Sequence, residues 1–186
     1  IGAAFGSAGE RCMATSVALP VGKIQKPFME LLMKKANSIN VGGSLDPNSE
    51  MGPLITKEHK AKVIKYIECG VTEGAKLEMD GRNISLQGFE NGNFVGPTIF
   101  NNVTRDMTIY KEEIFGPVLS VVNVDTYEEA IDHINTHEFG NGTSVYTSNG
   151  NIARNFTKNV QIGMVGINIP IPVPMAFYSF GGWKGS

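Results

Sequence analysis

The sequence predicts an α/β fold in which a largely parallel, twisted sheet has helices on both faces. Strand and helix patterns alternate along the chain, which is typical of parallel strands covered by helices. Residues 117–124 (PVLSVVNV) are almost wholly apolar, as expected of a strand buried on both faces. Thr126 and Glu129 then form a capping box for a helix over residues 127–136, so one strand–helix unit is explicit in the sequence.

The first elements follow from residue spacing. Residues 14–21 are predicted to form a strand that ends at Pro20, because proline has no amide hydrogen to donate to a neighbouring strand. A helix over residues 24–39 follows, and Thr56 caps a second helix over residues 57–72. The apolar side chains of the first of these helices recur at helical spacing: Phe28, Leu31, Leu32, Ala36 and Ile39.

The remaining elements are shorter. Turn pairs at Asp80-Gly81 and Asn91-Gly92 predict loop or small antiparallel strands over residues 83–96. The other predicted elements are strands over residues 75–79, 97–100, 142–147 and 164–169, and a helix over residues 151–160.

Composition excludes several classes of function. Sixteen basic and 18 acidic residues give a net charge of −2, without the basic stripe of a nucleic-acid-binding protein. No apolar run approaches the roughly 20 residues that span a bilayer, so no membrane partner is expected. Cys12 and Cys69 form no disulfide framework, which favours a cytoplasmic location. The three histidines lack metal-binding spacing, so we expect surface positions for them and no metal site.

The segment over residues 5–12 (FGSAGERC) is the strongest candidate for chemistry. Small residues ahead of Cys12 let the backbone approach a ligand closely, and Arg11 places a positive charge beside the sulfur. Both features favour a reactive thiolate. The alternative is that Cys12 is a small, buried packing residue. Cys69 lies in a helical pattern without small neighbours and is predicted to have no chemical role.

Four motifs follow one another along the chain: FxxxGxxC ending at Cys12, EEIFGP from Glu112, GxVxxN ending at Asn168, and FGGxKxS from Phe180. Together they resemble the aldehyde dehydrogenase superfamily over the whole chain. The strings AAFGSAGERCMA and PIPVPMAF most resemble the methylmalonate-semialdehyde dehydrogenases, the branch that acylates coenzyme A.

The resemblance has implications for the organisation of the chain. It implies that residues 1–186 are a catalytic domain, from which a preceding dinucleotide-binding domain and a following oligomerisation tail are absent. We therefore expect the chain to be inactive alone and the complete protein to be a homo-oligomer.

The resemblance also implies roles for residues of the first three motifs. Cys12 is the nucleophile that adds to an aldehyde, forming a thiohemiacetal and then a thioester. Glu113 holds hydroxyls of the nicotinamide-side ribose of NAD, and Phe115 bounds the nicotinamide ring. Asn168 braces the active-site loops as a supporting residue.

Arg11 and Phe177 are the candidate substrate-binding residues. A guanidinium can bind the carboxylate of a semialdehyde acid through two hydrogen bonds, but an internal salt bridge with Glu10 is an equal alternative for Arg11. Phe177 ends a proline-rich apolar loop over residues 170–177 that is suited to line a substrate tunnel.

The predicted function is NAD-dependent oxidation of a small semialdehyde, methylmalonate or malonate semialdehyde, to an acyl-CoA, with NAD as cofactor and coenzyme A as co-substrate. Three alternatives stay open. One is an aldehyde dehydrogenase of another substrate that releases its acyl group to water. The others are a cysteine hydrolase or acyltransferase, which needs a histidine base near the thiol, and a non-catalytic packing module.

Overall fold

The chain divides into two units of packed secondary structure, residues 1–123 and residues 124–186. The computed structural model describes residues 1–170 and 172–186. That the whole chain acts as one catalytic domain stays a prediction. No helix in the described ranges is long and apolar enough to cross a membrane.

The first unit, all of which the structure describes, is built on a four-stranded sheet with the strand order β1-β4-β3-β2. Strand β4 pairs in parallel with both β1 and β3, and β3 pairs antiparallel with β2. Its elements are α1 (Gly2–Phe5), β1 (Val17–Ala18), α2 (Gln25–Ala36), α3 (Lys57–Thr72), β2 (Lys76–Met79), β3 (Thr98–Asn101), α4 (Thr108–Lys111) and β4 (Val118–Val121). This arrangement confirms the α/β class and the largely parallel sheet.

Burial explains why the central strands form where they do. Every residue of β4 is buried, as its apolar sequence predicts for a strand with neighbours on both sides. The largest fully buried side chains include Phe5, Ile67, Ile99 and Phe100, so helices α1 and α3 contribute to the same core as the sheet. Apolar burial of this kind is the main source of stability of the unit.

Helix α3 begins where the sequence predicts it. The Thr56 side chain accepts a hydrogen bond of 3.1 Å from the amide of His59, which satisfies one of the unpaired donors of the first turn. Val63 and Ile67 are completely buried on one face of the helix. Other contacts of α3 reach the candidate site.

The second unit contains shorter elements: α5 (Tyr127–Thr136), β5 (Phe139–Gly140), β6 (Gly142–Val145), α6 (Gly150–Asn159), β7 (Met164–Ile167) and β8 (Trp183–Lys184). Among its described residues, β6 and β7 pair in parallel, and β5 pairs antiparallel with β8. Its core is formed by Phe156, Val160 and Ile162. The predicted capping box forms in part: Thr126 accepts from the amide of Glu129, but the Glu129 carboxylate accepts from the amide of Asp125, the residue before the cap, instead of from that of Thr126.

Several sequence-based predictions were wrong in detail. The strand predicted over residues 14–21 is reduced to Val17–Ala18, because a turn that closes at Ala14 precedes it and Pro20 follows it. Leu31 was predicted on the apolar face of α2 but is 58% exposed. His133 was expected at the surface but is 6% exposed on α5, because it falls on the face of the helix that also buries Ala130.

Candidate active site

Cys12 occupies the second position of a tight turn. The amide of Ala14 donates to the carbonyl of Arg11 over 3.0 Å, which closes the turn around Cys12 and Met13. The side chain of Cys12 is exposed, whereas Ala8, Gly9 and Met13 around it are buried. Cys12 is therefore not a buried packing residue.

The loop ahead of Cys12 has an unusual backbone. Ser7, Ala8 and Gly9 all lie in the left-handed region, with φ of 52°, 53° and 72°. That conformation is unfavourable by about 1 kcal/mol for each residue with a Cβ atom, so surrounding contacts must hold it. Burial of Ala8 and Gly9 and a hydrogen bond from Arg11 to Ser7 provide such contacts.

Arg11 folds back onto its own loop. Its Nε donates to the Ser7 hydroxyl oxygen over 3.0 Å, and its guanidinium lies against Gly6, where a Cβ atom would be 3.3 Å from one terminal nitrogen. Arg11 makes no ion pair with Glu10 or with any other described residue. The described residues therefore give no support to the Glu10 salt bridge, and Arg11 as a whole is exposed.

The second motif forms a turn between α4 and β4. Phe115 lies in the left-handed region, with φ of 57°, and its ring is 36% exposed. Gly116 and Pro117 are buried, whereas Glu113 is exposed and forms no hydrogen bond or ion pair within the described part of the chain. A carboxylate in this setting is accessible to the hydroxyls of a ligand.

The two motifs meet through backbone at Gly9 and Gly116. A Cβ atom on Gly9 would lie 2.6 Å from the carbonyl carbon of Gly116 and closer still to its oxygen. Only glycine permits this approach together with a φ of 72°. The loop that carries Cys12 and the turn that carries Glu113 and Phe115 are therefore packed directly on each other.

Helix α3 supports that turn at three side chains on one face, spaced i, i+4 and i+7. His59 Nε2 lies 2.6 Å from the carbonyl oxygen of Phe115. Val63 packs on Gly116, where a Cβ atom would be 2.7 Å from Val63 Cγ2. Tyr66 donates its hydroxyl hydrogen to Glu112 over 2.6 Å. His59 was expected at the surface, but only 22% of its side chain is exposed, because its position on the helix directs it at the turn.

The Tyr66 contact predicts a pH dependence of stability. The hydrogen bond to Glu112, with burial and the Glu112 charge, raises the pKa of Tyr66 to about 12. Because the folded state favours the protonated phenol, the contribution is complete below the ordinary tyrosine pKa of roughly 10 and is lost as the pH rises toward 12.

We therefore expect Tyr66→Phe to lower the free energy of unfolding by about 1 kcal/mol at neutral pH. The difference between the variant and the unmodified chain should vanish as the pH rises through that window. Urea unfolding of both proteins across the pH range measures it. A difference that stays constant through the window would contradict the assignment.

Asn168 and Phe177 belong to the second unit. Asn168 has φ of 57° and brackets the backbone of Thr147, accepting from its amide over 2.9 Å and donating to its carbonyl over 3.1 Å. It thereby ties the end of β7 to the end of β6, which is a bracing contact. Phe177 is 75% exposed, and its ring contacts that of Tyr178 in a tilted arrangement with ring centroids 5.0 Å apart.

Cys69 and Lys184 have structural contacts. Glu73, the residue that follows α3, has a lowered pKa, chiefly because the Thr108 hydroxyl donates to its carboxylate, and the Cys69 thiol one turn earlier makes a smaller contribution. Lys184 donates to the carbonyl of Ile134 over 2.8 Å, satisfying an acceptor in the last turn of α5. The described residues hold no cluster of three or more His, Cys, Asp or Glu that suits a metal ion.

Sequence reasoning missed the residues that support the site. His59 and Tyr66 lie outside the recognisable motifs, and no spacing within α3 marks them as functional. One signal was available, because His59 and Tyr66 share a helical face with the buried Val63, where an ordinary helix would place apolar residues.

Comparison with known proteins places the chain in a family. The aldehyde dehydrogenase family profile matches residues 1–186, and the chain belongs to that family. It is 50% identical over 187 residues to the malonate-semialdehyde dehydrogenase of Pseudomonas aeruginosa, covering 100% of this chain and 38% of that protein. A Caenorhabditis elegans relative, assigned as an acylating, mitochondrial methylmalonate-semialdehyde/malonate-semialdehyde dehydrogenase, is 50% identical over 184 residues, which cover 99% of this chain and 35% of that protein.

A solved structure supports the same family membership. A Sinorhizobium meliloti protein assigned as a methylmalonate-semialdehyde dehydrogenase and complexed with NAD superposes with a TM-score of 0.97 at 52% identity. The match covers 98% of this chain and 38% of that protein. The chain thus spans less than two fifths of the proteins that it matches, and motifs from both of its units lie within the match.

Proposed function

We propose that this chain supplies the nucleophile and the nicotinamide-side contacts of an NAD-dependent aldehyde dehydrogenase. The observation that carries the proposal is the direct packing of the exposed Cys12 loop on the Glu113–Phe115 turn through Gly9 and Gly116. The thiol at the surface of one loop can attack an aldehyde, and the unpaired carboxylate on the adjoining turn can hold the hydroxyls of the cofactor that accepts the hydride. Membership of the family supports the same reaction over a hydrolase.

The chemistry at Cys12 follows from the properties of sulfur. The thiolate adds to the aldehyde carbon and forms a C–S bond, while the π bond of the carbonyl breaks and its electron pair moves to oxygen, giving the thiohemiacetal as an alkoxide. Collapse of this thiohemiacetal re-forms the carbonyl and releases hydride, leaving a thioester on Cys12. Sulfur suits both steps because it is a strong nucleophile and also a good leaving group, so an acceptor can later displace it.

NAD, when bound, supplies the hydride acceptor. The residues present fit such a group: the Glu113 carboxylate is exposed and can accept two ribose hydroxyl hydrogens, and the Phe115 ring is partly exposed beside it. The left-handed backbone at Phe115 sets the direction of that ring. The NAD complex of the Sinorhizobium meliloti relative supports this assignment.

The substrate is proposed to be malonate or methylmalonate semialdehyde, and the acyl acceptor coenzyme A. The names of the relatives support the substrate, and the acylating Caenorhabditis elegans relative supports a thiol acceptor. Arg11 agrees with a substrate carboxylate, because it makes no ion pair in the described chain and lies next to Cys12 on an exposed loop. Phe177 and Asn168 are proposed as a substrate-lining residue and a bracing residue.

A chimeric enzyme tests the whole proposal. The chain replaces the matching segment of the Pseudomonas aeruginosa malonate-semialdehyde dehydrogenase, and NADH formation is followed with malonate semialdehyde, with and without coenzyme A. We expect NADH formation that coenzyme A accelerates, and none from the isolated 186-residue chain. Equal rates with and without coenzyme A would contradict acyl transfer to a thiol and favour release to water.

Arg11→Met in that chimera tests the carboxylate contact. Loss of a charge-assisted hydrogen bond should raise KM for malonate semialdehyde by about tenfold or more, while KM for propionaldehyde, which has no carboxylate, should not change. Ser7→Ala is the matched control, because it removes the hydroxyl that Arg11 contacts but keeps the charge. An equal rise in KM for both aldehydes would show that Arg11 only holds the loop.

A further inference from the structure

His59 stands at the junction of the two loops without any role in the proposed chemistry. Its Nε2 is 2.6 Å from the Phe115 carbonyl oxygen and 3.6 Å from Glu10 Oε1. The side chains are shielded, with 22% of His59 and 8% of Glu10 exposed. A histidine and a glutamate so placed are more than incidental surface residues, because shielded polar side chains need partners.

The chemistry of the contacts fixes the tautomer of His59. A carbonyl oxygen can only accept, so Nε2 must carry a hydrogen and donate it to Phe115. Glu10 Oε1 lies 3.6 Å from the same nitrogen, a contact longer than a hydrogen bond, and it accepts from the amide of Ile55 over 3.4 Å. Glu10 lies two residues before Cys12, so the His59 imidazole contacts both the Cys12 loop and the Phe115 turn.

The Phe115 carbonyl is a point where such a contact has a large effect. Phe115 is held at φ of 57°, a conformation that is unfavourable for a residue with a side chain. A hydrogen bond to its carbonyl orients the peptide that links Phe115 to Gly116. The next residue, Gly116, is the one that abuts Gly9. Loss of this hydrogen bond would therefore make the strained turn more mobile, together with the surface that packs against the Cys12 loop.

From these contacts we infer that His59 is a positioning residue which, with Glu10, locks the Phe115 turn and the Cys12 loop into one preorganised unit. The inference rests on the proposed function, since it assigns the two loops their roles. If the contacts of His59 were lost, the turn would be mobile in the free protein and would become ordered only when NAD binds. The expected cost is weaker apparent affinity for NAD rather than a slower chemical step.

The test compares His59→Leu, which keeps the bulk but removes the donor, with His59→Gln, whose amide can still donate. Tyr66→Phe is the matched control, because it cuts the other polar contact between α3 and the turn. Hydrogen–deuterium exchange on the 186-residue chain measures directly how firmly the turn and the Cys12 loop are held. We expect exchange about fivefold faster in both the 5–12 and 112–118 peptides of His59→Leu, near-normal exchange in His59→Gln, and no change at 5–12 in Tyr66→Phe.

The chimera supplies the kinetic readout. His59→Leu should raise KM for NAD about fivefold with kcat within about twofold of the parent, and His59→Gln should restore KM. Exchange that rises at residues 112–118 but not at 5–12 would overturn the lock, as would equal effects of the Leu and Gln variants. The exchange result is independent of turnover. If Cys12→Ser left oxidation intact, the proposed function would fail while the lock could still stand.

Discussion

Cys12→Ser should lower the rate of aldehyde oxidation in the chimera by about 10³-fold or more. The hydroxyl of serine is not ionised near neutral pH and its oxygen is a poor leaving group, so neither formation nor release of the acyl intermediate is supported. The substitution removes one sulfur atom from an exposed turn position, and the fold should therefore persist. Unchanged urea unfolding of the variant would separate lost chemistry from lost structure.

Cys69→Ser is the matched control for this prediction. Cys69 is on α3 and its contact is with Glu73, so the variant should retain full activity. Iodoacetamide adds a second measurement, because peptide mapping reports each thiol separately. We expect faster modification of Cys12 than of Cys69 in the 186-residue chain, and protection of Cys12 by malonate semialdehyde. Preferential modification of Cys69 would contradict the assignment of the nucleophile.

Gly9→Ala should destabilise the chain by about 3 kcal/mol or more and suppress the reactivity of Cys12. The new methyl group would overlap the Gly116 carbonyl, and backbone atoms on both sides prevent a cheap shift. The left-handed φ of 72° adds a further penalty. Urea unfolding measures the first effect, and the iodoacetamide rate at Cys12 measures the second.

Gly74→Ala separates the two causes. Gly74 also has a left-handed φ, of 94°, but nothing lies within 4 Å of an added Cβ atom. This control should therefore show only the conformational penalty of about 1 kcal/mol, with Cys12 reacting at its normal rate. If Gly9→Ala were no more harmful than Gly74→Ala, the close packing of the two loops would not be needed for the site.

The sequence predicted those features that depend on neighbouring residues. Thr56 and Thr126 cap their helices because capping is decided within one turn of backbone, and the buried β4 is visible in a run of apolar residues. The motifs also identified Cys12 and Glu113 as candidates, and both are exposed. Their catalytic and cofactor-binding roles stay predictions.

Features that depend on distant contacts were not predictable. Leu31 fits the helical spacing of α2, but spacing cannot say which edge of an apolar face the rest of the protein will cover. The left-handed conformations of Ser7 and Ala8 could not be predicted either, since they are imposed by the packing of the loop. His59 contacts a carbonyl 56 residues away, a distance along the chain at which local patterns carry no information.

The three contacts of α3 with the motif turn have a practical consequence for protein engineering. His59, Val63 and Tyr66 occupy one stripe of the helix and each reaches a different residue of the turn. If the EEIFGP segment were exchanged between family members without these three residues of α3, the transferred turn would pack against side chains that do not match it. Successful recombination should therefore place its crossover points before Lys57 and after Pro117, so that the helix and the turn are inherited as a block.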